Sequence, residues 1–196
     1  MHKGCLVLSI VSALGAAPFA HASMLEFCFS GTFDNGTSFV VPDTATMVSA
    51  GDAFLFAFTF DTTAMNQEMT NGLGAYALVS SRFEVAGLQL AGDAGQINLD
   101  ARADGTPDVF VAASTFANPM FVDVTVLFPD ATFGDADLPT TLDLPSFPGA
   151  TLGVSVLEGL FTGTVDTFEV KVVPGPSTIA VLGLGGMLGR RRRRRA

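Results

Sequence analysis

Alternation of apolar side chains at every second position, clearest over Ala53–Phe60, is the feature that most constrains the fold of this chain. As a β-strand, this segment points Phe54, Phe56, Phe58 and Phe60 to a single face. Four aromatic rings on one face need a core opposite them. We therefore expect a central strand of a packed sheet. An exposed platform for stacking sugars is the alternative, but such platforms use Trp and Tyr, whose polar edges tolerate water.

Similar short alternating segments recur along the chain, separated by turn signals such as Asp34-Asn35-Gly36 and Asn71-Gly72. Many short strands with turns at roughly ten-residue intervals are typical of a β-sandwich or barrel. We predict an all-β fold, a β-sandwich of jelly-roll or lectin-like type, with an N-terminal signal helix and a short C-terminal transmembrane helix. A long loop is expected over 128–150, with one short strand around Thr141–Leu144. The other predicted strands are Leu25–Phe33, Thr37–Val41, Ala75–Val79, Arg82–Val85, Gln96–Asp100, Val109–Ala113, Phe121–Phe128, Thr151–Leu157 and Leu160–Val172.

The C-terminal tail, residues 174–196, has three parts: a proline-containing turn, an apolar stretch and an arginine run. Val172–Gly189 carries no charge and would be about 27 Å long as a helix, close to the ~30 Å of a bilayer core. Arginines cost roughly 2.5 kcal/mol or more each to insert, so we expect the run to stay cytoplasmic and the body to lie outside. The predicted stop-transfer residues are Arg190, Arg191, Arg192, Arg193, Arg194 and Arg195.

The N-terminus predicts export independently. Residues 1–22 combine a basic start, an apolar segment and the small-residue site Ala20-His21-Ala22, so cleavage before Ser23 is expected. The chain thus divides into a signal peptide (1–22), a β-sandwich ectodomain (23–173) and an anchor tail (174–196).

The tail resembles a bacterial PEP-CTERM sorting signal, whose pattern is Val-Pro-Glu-Pro-Ser/Ala-Thr, an apolar helix and an arginine-rich end. The matching motif residues are Pro174, Pro176, Ser177 and Thr178, and Gly175 stands where the family has Glu. The resemblance implies recognition by an exosortase, a membrane cysteine transpeptidase that removes the tail near this motif. Proteins with such tails are typical of bacteria that make extracellular polysaccharide, which makes that polymer a further candidate partner.

The predicted body is strongly acidic and poor in catalytic residue types. It holds all 19 acidic residues against three bases, a net charge of −16, which excludes nucleic acid as a natural partner. Both histidines, His2 and His21, fall in the signal peptide, which excludes histidine-dependent triads and His-ligated metal sites in the body. Cys28 is interpreted as a small packed residue; a free thiol and an intermolecular disulfide are the alternatives. The three bases are Arg82, Arg102 and Lys171.

Two weak chemical patterns remain in the body. Asp100, Asp104 and Asp108 form a faint calcium-loop pattern that lacks the EF-hand spacing, and solvated turn aspartates explain it equally well. Paired carboxylates could support glycoside hydrolysis, although no spacing pairs any two of them. The glutamates in question are Glu26, Glu68, Glu84, Glu158 and Glu169.

We therefore expect no enzymatic activity and no cofactor. The expected function is that of an exported cell-surface or extracellular-matrix protein with a structural or adhesive role, sorted through its tail. A carboxylate-dependent glycan-active enzyme and a calcium-dependent carbohydrate-binding module are the alternatives.

Overall fold

A computed structural model describes residues 24–68, 70, 72–101, 105–116, 119–129, 132–133, 137–138 and 150–173. The predicted signal helix, the predicted C-terminal helix and the strand expected around Thr141–Leu144 lie outside these residues. The described residues contain no helix that is long and apolar enough to cross a bilayer. They form twelve strands: β1 (Met24–Phe33), β2 (Ser38–Val40), β3 (Met47–Ser49), β4 (Ala53–Asp61), β5 (Leu73–Ala77), β6 (Ser80–Val85), β7 (Leu88–Ala91), β8 (Ala94–Asp100), β9 (Asp108–Thr115), β10 (Phe121–Phe128), β11 (Thr151–Val156) and β12 (Gly159–Val173).

The all-β prediction is confirmed, and the main element is one strongly curled antiparallel sheet. Its ten strands follow the order β5-β8-β9-β10-β11-β12-β1-β4-β6-β7, and β2 and β3 form a separate two-stranded sheet. Two layers face each other as in a sandwich, but both belong to the same sheet because β12 pairs with β11 on one side and with β1 on the other. Most neighbouring strands are also consecutive in the chain, so the connectivity is closer to a meander than to the crossovers of a jelly roll.

The core lies between the two halves of this sheet and is built of phenylalanine. Phe54, Phe56, Phe58 and Phe60 are at most 3% exposed, so the central-strand prediction is confirmed and the sugar-platform alternative is wrong. Phe110 of β9 lies with its ring centroid 6.3 Å from that of Phe58, which joins the two halves. A hydrogen bond of 2.6 Å between the hydroxyls of Ser81 (β6) and Ser114 (β9) joins them again.

A β-bulge lets the long strand β12 serve both halves of the sheet. Ser30 pairs with Thr167 and Gly31 pairs with Val165, so Asp166 is the extra residue. Phe161, Gly163 and Val165 face inward before the bulge, and Phe168 faces inward after it, packed against Phe27 and Phe29. Because side chains alternate between faces, one inserted residue exchanges the inward and outward sets.

Two glycines make room for a core ring next to this bulge. A Cβ at Gly31 would lie 2.9 Å from Cζ of Phe54, and a Cβ at Gly163 would lie 2.7 Å from Cε1 of the same ring. The ring therefore covers backbone that has no side chain, which is the arrangement expected where aromatic side chains compensate for glycine in a sheet.

The two outer edges of the main sheet differ. At β5, the side-chain amide of Asn66 takes the place of a neighbouring strand: it donates to the carbonyl of Leu73 and accepts from the N–H of Ala75, both at 2.9 Å. The N–H of Gln67 donates to the carbonyl of Ala75 at 2.9 Å. At β7, which pairs with β6 through a two-residue turn, no strand of the described chain covers the outer side.

Candidate functional site

Five ionic side chains of the body meet on the outer face of β1, β4, β6 and β12. We call this set the charged cluster; it consists of Glu26, Arg82, Glu84, Glu169 and Lys171, with Cys28 among them. Register explains the grouping, because Glu26 lies opposite Lys171 and Cys28 lies opposite both Glu169 and Ala57. Two of the three bases of the predicted body therefore stand on one face of the sheet.

Arg82 links two of the carboxylates in the charged cluster. Its Nη2 lies 3.8 Å from Oε1 of Glu26, and its Nε lies 3.1 Å from Oε1 of Glu84. The second contact is ionic rather than a hydrogen bond, because the buried Nε has no partner in hydrogen-bond geometry. Ala57, which pairs with Arg82, is small enough for the guanidinium to reach across β4 towards β1. Partly exposed pairs of this kind contribute about 1 kcal/mol or less each.

Cys28 is a buried thiol whose surroundings favour the protonated form. It is 4% exposed and free of any disulfide within the described chain, so the interpretation as a packed residue is confirmed. Burial raises the pKa of the Cys28 thiol, and the neighbouring Glu26 raises it further. Lys171, whose Nζ donates to the sulfur at 3.8 Å, works in the opposite direction but does not outweigh them. Since the thiolate is the nucleophile, this cysteine is not prepared for catalysis.

The aspartates of the faint calcium pattern do not share a face. Asp100 ends β8 opposite Val109 and is half-buried, whereas Asp108 points inward with Phe110 and is 1% exposed. Asp104 lies outside the described residues. Within the part of the chain that the structure describes, no three acidic, histidine or cysteine side chains are grouped as metal ligands would be. Calcium binding stays a prediction of the sequence.

Asp108 has a role that the sequence analysis missed. One of its carboxylate oxygens accepts a hydrogen bond of 2.8 Å from the N–H of Phe133, while the other oxygen is buried without a partner. The carboxylate thus holds Phe133, which lies between β10 and β11 in the chain, against the core. The sequence could have indicated this inward position, because Asp108 precedes the inward-facing Phe110 and Ala112 by two and four residues and therefore shares their face of the strand.

The glutamates considered for glycoside hydrolysis are distributed over three places. Glu26, Glu84 and Glu169 belong to the charged cluster, and Glu158 lies in the turn between β11 and β12. Glu68 lines a shallow groove of about 260 Å³ on the outside of β5, β8 and β9, together with Asn98 and Asp100. Its carboxylate accepts hydrogen bonds from the backbone and the hydroxyl of Thr70. The printed contacts of these glutamates are surface ion pairs and a turn, and carboxylate-dependent hydrolysis stays an alternative raised by the sequence.

The two ends of the body leave the sheet side by side. Met24, the first residue of β1, pairs directly with Val173, the last residue of β12, and the ladder continues from there to Phe33 and Gly163. Paired residues in an antiparallel ladder have Cα atoms about 5 Å apart. The predicted cleavage residues Ala20, Ala22 and Ser23, the motif residues 174–178 and the arginines 190–195 lie outside the described residues.

Comparison with known protein families, with curated proteins and with solved structures gives no match for this chain.

Proposed function

We propose that this chain is an exported protein that is held in the inner membrane by its C-terminal tail, processed there by an exosortase-type peptidase, and then retained at the cell surface or in the extracellular matrix in a structural or adhesive role. The observation that carries the proposal is the pairing of Met24 with Val173. This pairing supports an arrangement in which the predicted signal peptide and the predicted C-terminal tail both start from the same place on the body.

This geometry matters for an exported precursor. A signal peptide ending at residue 22 and a tail beginning at residue 174 must both reach the same bilayer until they are cut. With the ends of the body about 5 Å apart, the sheet can form completely while both extensions are still inserted. If the ends lay at opposite poles, β1 and β12 would have to open before both extensions could enter the membrane.

The fold also limits where a peptidase can cut the tail. Residues 163–173 of β12 are held in the ladder with β1, and peptidases need their substrate in an extended, accessible form. The motif residues 174–178 come immediately after this ladder. Cleavage is therefore expected beyond Val173 and not within the strand.

Mass spectrometry of the mature protein tests the proposal in cells with and without the processing peptidase. We expect a start at Ser23 in both, and a C-terminus within the motif only when the peptidase is present. Replacing both Pro174 and Pro176 by Ala should leave the tail intact, whereas replacing Glu158, at the far end of β12, by Gln should not. Identical C-termini in the two strains would contradict the proposal.

Contact with polysaccharide is a second candidate role, favoured by the groove on the outside of β5, β8 and β9. Its polar side chains, Asn98 and Asp100, stand beside apolar Val109 and Val111, a combination suited to a sugar ring in a lectin-like sheet. The acidic body favours neutral glycans over anionic ones. Titration calorimetry with neutral and acidic polysaccharides should give binding only with the former, and Asn98→Ala should weaken it. Equal weak heats for wild type and variant would remove the groove from consideration.

A further inference from the structure

The outer edge of β7 is an uncovered row of backbone hydrogen-bonding groups. The N–H of Gly92 donates to the carbonyl of Ser81 at 2.9 Å, which fixes the phase of the β6–β7 ladder. Pairs that exchange hydrogen bonds alternate with pairs that do not, so Leu90 bonds to Phe83 while Gln89 and Ala91 do not bond to β6. The N–H and C=O groups of Gln89 and Ala91 therefore point away from the sheet.

Of the usual edge protections, the described residues give β7 only its shortness, because the strand has four residues. Natural edge strands are guarded by charged side chains, proline, bulges or a covering segment. β7 has the sequence Leu-Gln-Leu-Ala, and its register with β6 is regular. The opposite edge, β5, has such a cover in Asn66 and Gln67, which satisfy outward groups of Leu73 and Ala75.

We propose that two copies of this chain associate through β7, edge to edge and antiparallel, to form a closed dimer. In the register centred on Leu90, Gln89 of one copy faces Ala91 of the other, and all four outward residues exchange hydrogen bonds. A second copy fits this edge because a two-fold axis matches a strand to itself in antiparallel orientation. Because β7 carries no charged side chain, the two paired strands would bring no like charges face to face.

A shallow groove lies on the outer face of the sheet next to this edge. It has a volume of about 390 Å³ and is lined by Leu55, Glu84 and Gln89, which form one row across β4, β6 and β7. The next position of that row would be taken by Ala91 of the second copy, whose methyl group needs little room. The dimer would then carry one continuous sheet across the two-fold axis.

The covered edge at β5 explains why association stops at two copies. A sheet with two open edges adds further copies and becomes a fibre, whereas a sheet with one open edge is complete after a single pairing. Asn66 thus acts as the residue that closes the assembly, and its removal should open a second edge.

Analytical ultracentrifugation of the full chain in density-matched detergent, at up to about 1 mM, the weak end of specific association, tests the dimer. We expect a dimer mass for wild type and an about twofold drop for Gln89→Pro, which removes an outward N–H without touching the β6 ladder. Gln89→Lys should give the same result by adding charge to the edge. Ala77→Lys, on the covered edge, should leave the dimer intact.

Asn66→Ala is the decisive companion variant and should form species larger than a dimer. Circular dichroism and thermal unfolding of each variant confirm that the sheet is present. A monomeric wild type, or a dimer that persists in both Gln89 variants, would overturn the proposal. An Asn66→Ala protein that remains dimeric would overturn the assigned role of the covered edge.

Discussion

At the scale of single residues, the body contains ionisable groups with opposite relations to stability. Asp123 on β10 is half-buried, and its Oδ1 would lie 2.6 Å from a Cβ at Gly153, so the missing side chain makes room for it. Burial raises the pKa of Asp123 above its ordinary value of 3.8, and the hydroxyl of Thr125 only partly compensates. At Asp61, hydrogen bonds from the hydroxyl and the N–H of Thr63 lower the pKa of the carboxyl.

These shifts predict opposite effects for Asp123→Asn and Asp61→Asn. The native state holds its proton on Asp123 more tightly than the unfolded state, so stability falls as pH rises from 3.8 through the raised native pKa, and the penalty persists at neutral pH. Asp123→Asn should therefore raise the free energy of unfolding at pH 7 and not at pH 3. Asp61 stabilises at neutral pH and loses that contribution as pH falls through its lowered pKa, so Asp61→Asn should destabilise at pH 7. Urea unfolding at both pH values measures this.

The charged cluster predicts how the thiol of Cys28 responds to its neighbours. In a Cys5→Ser background, Glu26→Gln should lower the pKa of the Cys28 thiol, and Lys171→Met should raise it, because these charges act in opposite directions. The pH profile of iodoacetamide labelling of the folded protein reports both shifts. Unfolded protein serves as the control, since all three forms should label alike there. Identical folded profiles would show that burial alone sets this pKa.

At the scale of elements, alternation located ten of the twelve strands, including β2, where the buried Thr37 and Val41 on either side of Phe39 extend the pattern. It found β4 through four phenylalanines, but it missed β3 and β7. In β3 only Val48 is buried, and a single buried side chain shows no alternation in the sequence. The turn before β7 has Ala86 and Gly87, both with positive φ, which is unusual for alanine and is not the Asn-Gly pattern that marks such hairpins in sequence.

The single sheet could not be derived from alternation either. Pairing β5 with β8, and closing Met24 against Val173, depends on contacts between residues far apart in the chain. The phase change in β12 was readable, because Val165 and Phe168 are three residues apart where alternation needs two. For the charged cluster, the sequence showed which residues carry charge. It could not show that they meet around Arg82, because that depends on the register of four strands.

The bulge in β12 predicts a sharp difference between deleting and replacing Asp166. Deletion should turn Phe168, Val170 and Val172 to the outer face or break the ladder with β1, at a cost of about 3 kcal/mol or more from the lost packing of Phe168 on Phe27 and Phe29. Asp166→Asn keeps the residue count and should change stability by less than about 0.5 kcal/mol. The midpoints of denaturant unfolding of the two variants, compared with that of wild type, measure this difference. Equal midpoints would mean that the bulge does not set the register.

At the scale of the whole molecule, the adjacent ends mean that the chain can be joined there and reopened in an exposed turn without changing the sheet. Residues 24 and 173 are paired, and the exposed turn Leu157-Glu158 lies at the other end of β12. A chain that runs from Gly159 to Val173, through a short glycine linker, and on from Met24 to Glu158 should keep the sheet. A permutant opened between Ser30 and Gly31 breaks the ladders of β1 with both β4 and β12 and should not fold.

Circular dichroism and cooperative thermal unfolding distinguish the two permutants. The first should melt within about 6 °C of the unpermuted body, which corresponds to roughly 2 kcal/mol for a domain of this size. Loss of the transition in that permutant would contradict the side-by-side arrangement of the ends.

The pairing of Met24 with Val173 also decides how the body responds to load. Tension applied between its two ends would pull β1 from β12 like a zipper, one residue pair after another, so modest force would open it. In the proposed mature form, which would be held at residue 173 alone, a pull on the distant turn at Leu157 runs lengthwise along β12. Its hydrogen bonds to both neighbours then share the strain together, so removal of the N-terminal segment would convert a weak mechanical element into a strong one.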